Sequence, residues 1–213
     1  MTFSSVSVLV PTRTRLAHVQ RMIASFEATT DGAAELVFRA DEDDLETIDA
    51  LAAYRTVVGP RLAGYRSLAA FFNELAAAAT GDVLLCGNDD MVFRTPGWPS
   101  LVLEAANAYP DGLFDLGVST HNETHFPFSI VSRTAVDRLG FLWDPRIFWG
   151  DVYLRDVMGA FGRAVRLPSV EIAHEWIGNE AEQNTIYQRD PAYWTQTHAP
   201  AVAEAVQKLR ACA

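Results

Sequence analysis

Two adjacent aspartates, Asp89 and Asp90, are the residues of this sequence whose placement most clearly suggests chemistry. They follow an apolar run, Val83–Cys86, which has the length and composition of a buried strand and ends at Gly87. Ligands of open α/β sheets bind at the carboxyl ends of strands. Neighbouring carboxylates repel each other unless a cation lies between them, and a hard divalent ion that also holds a diphosphate meets that need. A polar turn with two solvated acids is the alternative interpretation.

Alternating strand and helix patterns predict the elements that position this pair. Apolar, β-rich runs predict strands over residues 6–10, 35–39, 56–58 and 83–86. Helical periodicity lies between them, in segments that begin near Leu16, Leu45 and Ser67. Asp43 and Asp44 are both candidates for the N-cap of the second helix. The alternation predicts an α/β domain with a mainly parallel central sheet and helices on both faces.

The second half of the chain continues with shorter elements. Strands are predicted over residues 113–119, 128–132, 163–167 and 170–173, and helices are predicted to begin near Trp98, Ala135, Phe148 and Val202. Asp151 lies at the start of the third of these helices, where free backbone amides favour a carboxylate, so a helix cap is one role for it. Since no segment has the composition of a linker, a single domain is predicted over residues 1–213.

Composition and charge limit the classes of partner. The chain has 213 residues, of which 49% are apolar, enough for one domain with a sizeable core. Its net charge of −10 argues against a large binding surface for nucleic acid or anionic lipid. Cys86 and Cys212 do not suggest a disulfide framework. Residues 1–5 lack the pattern of a secretory signal and no apolar run is long enough to span a membrane, so a cytoplasmic protein without membrane insertion is predicted.

Two further clusters allow several interpretations. His121 and His125 are spaced like zinc ligands on a helix, but their segment lies between predicted strands and ends at Pro127, so a loop is predicted instead. Residues 176–199 have no clear period and are rich in aromatic side chains, namely Trp176, Tyr187, Tyr193 and Trp194. A lid over a sugar or base, core packing and a homodimer contact are all open for these four.

In this order and spacing, the segments resemble the GT-A glycosyltransferases, in particular the inverting enzymes of family 2. The resemblance runs from about Val6 to His174. In the first half it is carried by the opening strand with its Pro-Thr turn, Val8–Thr12, and by the acids Asp41 and Asp43 after the second strand. The helix Leu68–Gly81, which contains Asn73, the Asp-x-Asp-like strand Leu84–Asp90 and its continuation Thr95–Trp98 complete this half. In the second half it is carried by Phe128–Arg133, Leu139–Phe141, Phe148–Leu154 and Val170–His174.

Three positions depart from the pattern of that family. Asn88 replaces the first Asp of Asp-x-Asp, as in some members. Gly150 stands where many members carry Glu before the catalytic base, and Tyr153 stands where many carry a second Asp. The last two departures concern the acceptor side.

The resemblance implies a division of the domain and a set of site residues. The nucleotide-sugar half covers about residues 1–93, the acceptor half about 94–175, and a C-terminal lid and helix 176–213. A nucleotide-sugar donor, in the first place a UDP-sugar, is expected to bind at the strand ends, on Pro11, Thr12, Arg13, Asp41, Asp43, Arg66, Asn88 and Asp89. Asp41 and Asp43 match acids that hold the nucleoside. Asp90, Asp89 and His174 are expected to hold a divalent cation, Mn²⁺ or Mg²⁺, and Asp151 is the expected catalytic base.

The expected reaction needs two kinds of assistance. Negative charge grows on the departing diphosphate, and a divalent ion stabilises it as a Lewis acid; the imidazole of His174 favours Mn²⁺. Inversion needs a base on the opposite face of the sugar to deprotonate the acceptor hydroxyl. Glu123 and Asp144 are the next candidates should Asp151 be only a cap. The cations considered for the diphosphate are Arg13, Arg61 and Arg66.

Two other functions compete with a glycosyltransferase. A nucleotidyltransferase on a similar scaffold usually has a first loop that is Gly-rich and contains basic residues. Residues 11–15 contain arginines but no glycine, so they do not match that loop. A non-catalytic nucleotide-sugar-binding module would account for the departures at Gly150 and Tyr153 as a lost acceptor site. The acceptor itself is open among a small molecule, a glycan end, a protein side chain and a modified nucleic acid, the last disfavoured by the acidity of the chain.

Overall fold

The computed structural model describes residues 2–62, 67–120, 126–175 and 191–211. These residues form a central sheet whose strands are β1 (Val6–Thr12), β2 (Ala34–Asp41), β3 (Arg55–Gly59), β4 (Val83–Cys86), β5 (Met91–Phe93), β6 (Asp115–Ser119), β7 (Ser129–Ser132) and β8 (Ala164–His174). The helices are α1 (Leu16–Thr29), α2 (Leu45–Ala50), α3 (Ser67–Ala78), α4 (Trp98–Asn107), α5 (Arg133–Leu139), α6 (Gly150–Gly159), α7 (Pro191–Tyr193) and α8 (Ala199–Ala211), with a π-helical segment, Trp194–His198, before α8. The predicted α/β fold class is confirmed.

The strand order is β3-β2-β1-β4-β7-β6-β8-β5. Strands β1 to β4 are mutually parallel, so their carboxyl ends meet at one edge of the sheet. The continuous apolar runs of β1, β2 and β4 follow from their inner positions, because strands covered by helices on both faces bury most of their side chains, whereas the edge strand β3 is only partly buried. Antiparallel pairs enter later in the chain, where β7 lies between β4 and β6 and where β5 pairs with β8.

Strands β5 and β8 differ from the predicted pattern. The two short strands predicted over residues 163–167 and 170–173 are one strand, β8, with an irregularity in its pairing with β6 after Val118. The first part of β8 pairs with β6, and its last part pairs with β5, a three-residue strand that the sequence pattern did not predict. This second pairing places His174 directly opposite Met91, immediately after the acidic pair.

Two apolar cores lie on opposite faces of the sheet, as predicted. On one face α1 and α4 cover the strands with buried side chains that include Val19, Met22, Phe26, Trp98 and Val102. On the other face α3, α5, α6 and α8 contribute buried side chains that include Phe72, Leu75, Leu139, Leu154 and Leu209. Helix α8 is also tied down by Lys208, whose Nζ donates to the carbonyl oxygen of Leu139 at 2.7 Å.

Helix α2 was predicted only in part. Asp44 is its N-cap and accepts a hydrogen bond from the Thr47 backbone amide, which decides between the two candidate caps. Leu45, the first residue of the helix, is 68% exposed. In this six-residue helix Thr47 is the buried residue, and Leu51 is buried immediately after the helix ends.

Two observations bear on the class of protein. Cys86 is buried and carries a free thiol, while Cys212 lies outside the described residues. Within the four described ranges, no helix combines the length and apolarity that crossing a membrane requires.

Candidate functional site

Three parallel strands carry the predicted donor-binding residues to one edge of the sheet. Strand β1 ends at Thr12, with Arg13 next to it, and β2 ends at Asp41. Strand β4 ends at Cys86 and is followed by the segment 87–90 with the paired aspartates. The side chains are in contact across this edge, since Thr12 Oγ1 donates a hydrogen bond to Asp89 Oδ2 at 2.9 Å.

The two aspartates are buried and share a guanidinium. The side chains of Asp89 and Asp90 are 6% and 4% exposed. Arg15 contacts both: its Nη1 lies 2.6 Å from Asp89 Oδ1, and its Nη2 lies 3.2 Å from Asp90 Oδ2. The solvated polar turn considered from the sequence is therefore wrong.

The electrostatic surroundings separate the two carboxyls. Burial raises the pKa of Asp89, and the charge of Asp90 adds to the rise, although Arg15 and Thr12 oppose it. Burial also acts to raise the pKa of Asp90, but the neighbouring His174 imidazole and Arg15 outweigh it, and the pKa falls below its usual range. Asp90 is thus the carboxylate that ionises more readily.

His174 reaches Asp90 because β8 pairs with β5. Besides the pairing of His174 with Met91, the backbone amide of Glu175 donates to the carbonyl oxygen of Asp90 at 3.0 Å. His174 Nε2 lies 3.4 Å from Asp90 Oδ1, and the imidazole packs edge-on against Phe128 with ring centroids 5.3 Å apart. The structure therefore brings together two of the three predicted metal ligands as a close pair.

The fit of a divalent ion can be judged from this pair. Across the ranges that the structure describes, no three His, Cys, Asp or Glu side chains form a complete metal-binding group. Asp90 Oδ1 is nevertheless buried without a hydrogen-bond partner among these residues, and such an oxygen is costly to leave unsatisfied. A carboxylate and an imidazole suit a divalent transition metal. Asp90 and His174 therefore fit an ion, whereas Asp89 is engaged by Thr12 and Arg15.

A second ion-pair group lies beside the first. Arg13 Nη1 lies 2.9 Å from Asp41 Oδ2, and the same guanidinium forks onto Asp43. This hydrogen bonding holds the pKa of Asp43 below its usual range. Arg39, whose side chain is 1% exposed, donates to the other oxygen of Asp41 and lies over the Phe71 ring at 4.0 Å. Asp41 is thus held by the buried Arg39 as well as by Arg13, in addition to its predicted role of binding the donor.

Arg15 is the site residue that sequence reasoning missed. The turn between β1 and α1 places it there: Thr14 has φ 52°, a left-handed conformation that is unusual for this residue type. The Thr14 backbone amide is fixed by Asp44 Oδ2 at 2.6 Å. Arg15 then takes the N-cap position of α1 and extends toward the aspartates. The sequence Pro-Thr-Arg-Thr-Arg contains no local pattern from which the contacts of Arg15 could be distinguished from those of Arg13.

The remaining donor-side predictions have mixed positions. Pro11 is half-buried and pairs in register with Arg39 of β2, and Asn88 is half-buried with its carbonyl oxygen 3.3 Å from the Met91 amide. Arg66 lies outside the described residues, as do His121 and His125.

Asp151 lies in the first turn of α6, on the face of the sheet opposite to α1. The N-cap position belongs to Trp149, so the simple N-cap role considered from the sequence is wrong. Asp151 is half-buried, and it is close enough to Cys86 and Asp115 to raise the pKa of both, after the larger effect of burial. Since Cys86 is the last residue of β4, Asp151 lies near the strand end that leads into the acidic pair.

Packing explains why residue 150 is glycine. A Cβ added to Gly150 would lie 1.8 Å from the Trp143 indole. That indole stacks near Phe72 with centroids 4.2 Å apart, and the backbone of residue 143 is held by Asn73, whose Oδ1 accepts from its amide at 3.0 Å and whose Nδ2 donates to its carbonyl at 2.9 Å. Tyr153 is fully buried in the same core. Both acceptor-side departures from the resembled family are therefore core positions in this chain.

The other candidates for a base have different surroundings. Asp144 is 1% exposed and bound by Arg146 through both its oxygens, with 2.6 Å from Arg146 Nη2 to Oδ2. Burial acts to raise the pKa of Asp144, but these hydrogen bonds outweigh it and lower the pKa. Glu123 lies outside the described residues.

The predicted aromatic lid is described only in part. Trp176 and Tyr187 lie outside the described residues. Tyr193 is buried, its ring centroid is 4.9 Å from that of Phe148, and its hydroxyl accepts a hydrogen bond from the Phe148 amide at 3.0 Å. Core packing is therefore the role of Tyr193, and it fixes the loop that leads into α6.

Comparisons with known proteins were made for sequence and for structure. No family model matches the sequence, and no curated protein matches it. Among solved structures, the mannosyltransferase PcManGT from Pyrobaculum calidifontis, in complex with GDP-Man and Mn²⁺, is similar with a TM-score of 0.64 at 14% identity, over 99% of this chain and 74% of that chain. This chain has a GT-A-like glycosyltransferase fold.

Two structures of S. aureus TarS agree with this assignment. A crystal structure of TarS is similar with a TM-score of 0.57 at 14% identity, covering 87% of this chain but only 42% of that chain. TarS 1–349 in complex with UDP gives a TM-score of 0.58 at 13% identity, over 96% of this chain and 80% of that one. The predicted resemblance is confirmed at the level of the fold.

Proposed function

We propose that this protein is a metal-dependent glycosyltransferase that moves a sugar from a nucleoside-diphosphate donor to an acceptor hydroxyl with inversion. The observation that carries the proposal is the buried Asp89–Asp90 pair at the carboxyl edge of a GT-A-like sheet, beside the ion pairs that Arg13, after β1, makes with Asp41 and Asp43. In open α/β sheets this edge is the place for a ligand.

Asp90 and His174, with Asp89 beside them, are the residues proposed to hold a divalent ion. The unsatisfied Asp90 Oδ1, 3.4 Å from His174 Nε2, supports this assignment. When bound, Mn²⁺ or Mg²⁺ would supply Lewis-acid stabilisation of the diphosphate charge. The residues of the chain itself bind and orient: Thr12 positions Asp89, and the β5–β8 pairing positions His174.

Asp41 and Asp43 are proposed to recognise the nucleoside of the donor. Asp41 is the last residue of β2 and Asp43 follows it closely, so both lie at the same edge of the sheet, where Arg13 already holds them in place. The half-exposed Asp43 has acceptor oxygens within reach of solvent, so its carboxylate can accept hydrogen bonds from ribose hydroxyls. Arg66 is proposed, from the sequence alone, to contact the diphosphate.

Asp151 is proposed to be the base that takes the proton of the acceptor hydroxyl. Its place in the first turn of α6 supports this, because the free amides and dipole of a helix start favour the ionised carboxylate. The loop before it is held by Tyr193 and its helix start by Trp143, so the carboxylate is carried on a fixed support. A fixed base is what efficient proton transfer requires.

The donor nucleotide is proposed to be a UDP-sugar, with a GDP-sugar as the comparison to test. The structural neighbours were solved with a guanine nucleotide sugar in one case and with UDP in the other. A cytoplasmic location and a homodimer contact remain predictions from the sequence.

A thermal-shift panel of UDP- and GDP-sugars with Mn²⁺ or with EDTA tests the proposal. A ligand at about one hundred times its Kd stabilises a folded protein by ~2.7 kcal/mol, which for a chain of this size corresponds to a rise in Tm of roughly 5–10 °C. We expect one nucleotide series to give this rise with Mn²⁺ and to lose it with EDTA. Asp90→Ala should lose it too, whereas Asp137→Ala, at an exposed position of α5, should keep it. A rise that survives both EDTA and Asp90→Ala would contradict the proposal.

A further inference from the structure

Arg15 occupies the position of a cation between two buried carboxylates. Its two terminal nitrogens lie 2.6 Å from Asp89 Oδ1 and 3.2 Å from Asp90 Oδ2. Each aspartate side chain is less than a tenth exposed, while the Arg15 side chain is 40% exposed. Two adjacent buried carboxylates need a counter-charge to remain ionised, so Arg15 stabilises this pair in the protein without a ligand.

Arg15 contacts one carboxylate oxygen of Asp90, Oδ2, and does not contact the other, Oδ1. Asp90 Oδ1 has no hydrogen-bond partner among the described residues and is directed toward His174 Nε2 at 3.4 Å. One carboxylate thus presents one oxygen to Arg15 and another to the proposed ion position. A divalent ion held by Asp90 Oδ1 would share this carboxylate with the guanidinium at Oδ2, and the two positive charges would repel each other.

We propose that Arg15 is a displaceable internal counter-cation, which makes binding of the divalent ion dependent on the nucleotide. In the free protein Arg15 holds Asp89 and Asp90. When a nucleoside diphosphate binds, its oxygens accept the Arg15 fork, and the aspartates become available to the ion. This inference rests on the proposed function and concerns the order in which the ligands bind.

Three features of Arg15 suit it to this exchange. A guanidinium matches the geometry of phosphate oxygens as well as that of carboxylates. The side chain is long and partly exposed, so it can change partner without disturbing the core. Its backbone, by contrast, is fixed by the hydrogen bond from the Thr14 amide to Asp44 and by the start of α1, so the guanidinium stays within reach of the edge of the sheet.

The inference predicts a specific pattern of Mn²⁺ affinities. Free Mn²⁺ is counted by electron paramagnetic resonance at a series of total concentrations, without nucleotide and with saturating UDP or GDP. The parent protein should bind Mn²⁺ weakly alone and on the order of tenfold more tightly with nucleotide. Arg15→Gln should bind Mn²⁺ alone several-fold more tightly than the parent and should lose most of the enhancement by nucleotide.

Arg21→Gln is the matched control. Arg21 also lies on α1 and pairs with an acid, Glu175, at 3.0 Å, but it does not contact Asp89 or Asp90 within the described structure. Its Mn²⁺ affinities should follow those of the parent. Arg15→Lys, which keeps the charge and loses the fork, should retain weak binding of Mn²⁺ alone, and it serves as the variant should Arg15→Gln not fold.

Each outcome separates the inference from the proposed function. If nucleotide strengthens Mn²⁺ binding equally in the parent and in Arg15→Gln, the counter-cation role is wrong and the metal-dependent donor site stands. If Arg15→Gln binds Mn²⁺ alone no more tightly than the parent, the role is wrong as well. If no variant binds Mn²⁺ under any condition, the metal-dependent function itself is contradicted, and this inference with it.

Discussion

At the proposed donor side of the candidate site, charged side chains hold one another, whereas at the proposed acceptor side the helix start that carries Asp151 packs against aromatic side chains. Arg13 and Arg15 each contact two aspartates across the ends of three strands. Asp151 instead depends on a helix start fitted against Trp143 and on a loop fixed by Tyr193. The proposed donor side should therefore respond to changes of charge, and the proposed acceptor side to changes of shape.

The largest expected effect separates the two sides at Asp151. Asp151→Asn keeps the shape of the side chain but removes its basicity, so transfer should fall by on the order of a hundredfold or more. Donor and Mn²⁺ affinities should be unchanged, because the residues proposed to bind the donor and the ion lie at strand ends and not on α6. Turnover of the folded variant and titration of the donor by calorimetry give the two readings.

Asp156→Asn is the matched control on the same helix. Asp156 accepts a hydrogen bond from His198 Nε2 at 3.0 Å and ties α6 to the C-terminal segment. Its replacement should lower the melting temperature and leave turnover per folded molecule intact. If Asp151→Asn behaves in this way instead, Asp151 is a structural residue and Glu123 becomes the next base to test.

A second variant tests whether shape controls the acceptor side. Gly150→Ala places a methyl group where the Trp143 ring lies, 1.8 Å away, and Asn73 prevents the backbone of Trp143 from yielding. We expect a loss of unfolding free energy of about 1–3 kcal/mol, measured by urea denaturation. Adding Trp143→Leu should recover part of the loss, because the two positions are coupled.

Gly159→Ala provides the control for helix propensity. It lies at the other end of α6, and among the described residues its added Cβ would meet only the Ala164 Cβ, at 4.0 Å. This variant should be neutral or stabilised by up to ~1 kcal/mol. Equal stabilities for Gly150→Ala and Gly159→Ala would show that Trp143 does not shape the helix start.

The smallest expected effect concerns a buried acid beneath the acceptor side. Asp115 is fully buried; burial raises its pKa to about 8, and the charge of Asp151 contributes to the rise, against hydrogen bonds from Ile130 and Ser129. An unfolded Asp has a pKa of about 3.9, so between these values the folded chain holds a proton that the unfolded chain has released. The stability from this group is therefore complete below about pH 4 and is lost as the pH rises toward about 8.

Asp115→Asn should flatten this dependence. In the parent, the unfolding free energy should decrease between pH 5 and pH 7 by at most ~1.4 kcal/mol per pH unit from this one group. The variant should lack that slope, and Asp137→Asn, an exposed acid, should retain it. An unchanged slope in Asp115→Asn would show that Asp115 is not the titrating group.

The same contrast decides what could be predicted from the sequence. The parallel strands β1, β2 and β4 were predictable because each is a local apolar run with an abrupt polar end, and parallel pairing then brings Asp41 and the segment with Asp89 to the same edge of the sheet. Strand β5 was not, because three residues after two acids have no periodicity, and only the partner strand β8, some eighty residues later, makes them a strand.

Two details of the site depended on contacts that no local pattern contains. The partner of Arg15 is set by the left-handed backbone of Thr14, which letters do not reveal for a non-glycine residue. Residue 150 must be glycine because the Trp143 indole occupies the space of a Cβ, and Asn73 on a different helix holds the backbone of Trp143 in place. Both are tertiary effects, and neither follows from propensity or spacing.

Inverting transfer is tested most directly by a time-resolved ¹H NMR record of the protein with Mg²⁺, which does not broaden the lines as paramagnetic Mn²⁺ would, and the α-linked nucleotide sugar that binds best, with water as the acceptor. We expect that nucleoside diphosphate is released and that the free sugar appears first as the β anomer, because inversion requires the base to lie on the face opposite the departing diphosphate. Asp151→Asn should bind the same donor and release nucleoside diphosphate on the order of a hundredfold more slowly or not at all. Inverting transfer from a nucleoside-diphosphate sugar would be contradicted by a first product with the α anomer, by release of nucleoside monophosphate, or by bound donor that the parent protein never turns over.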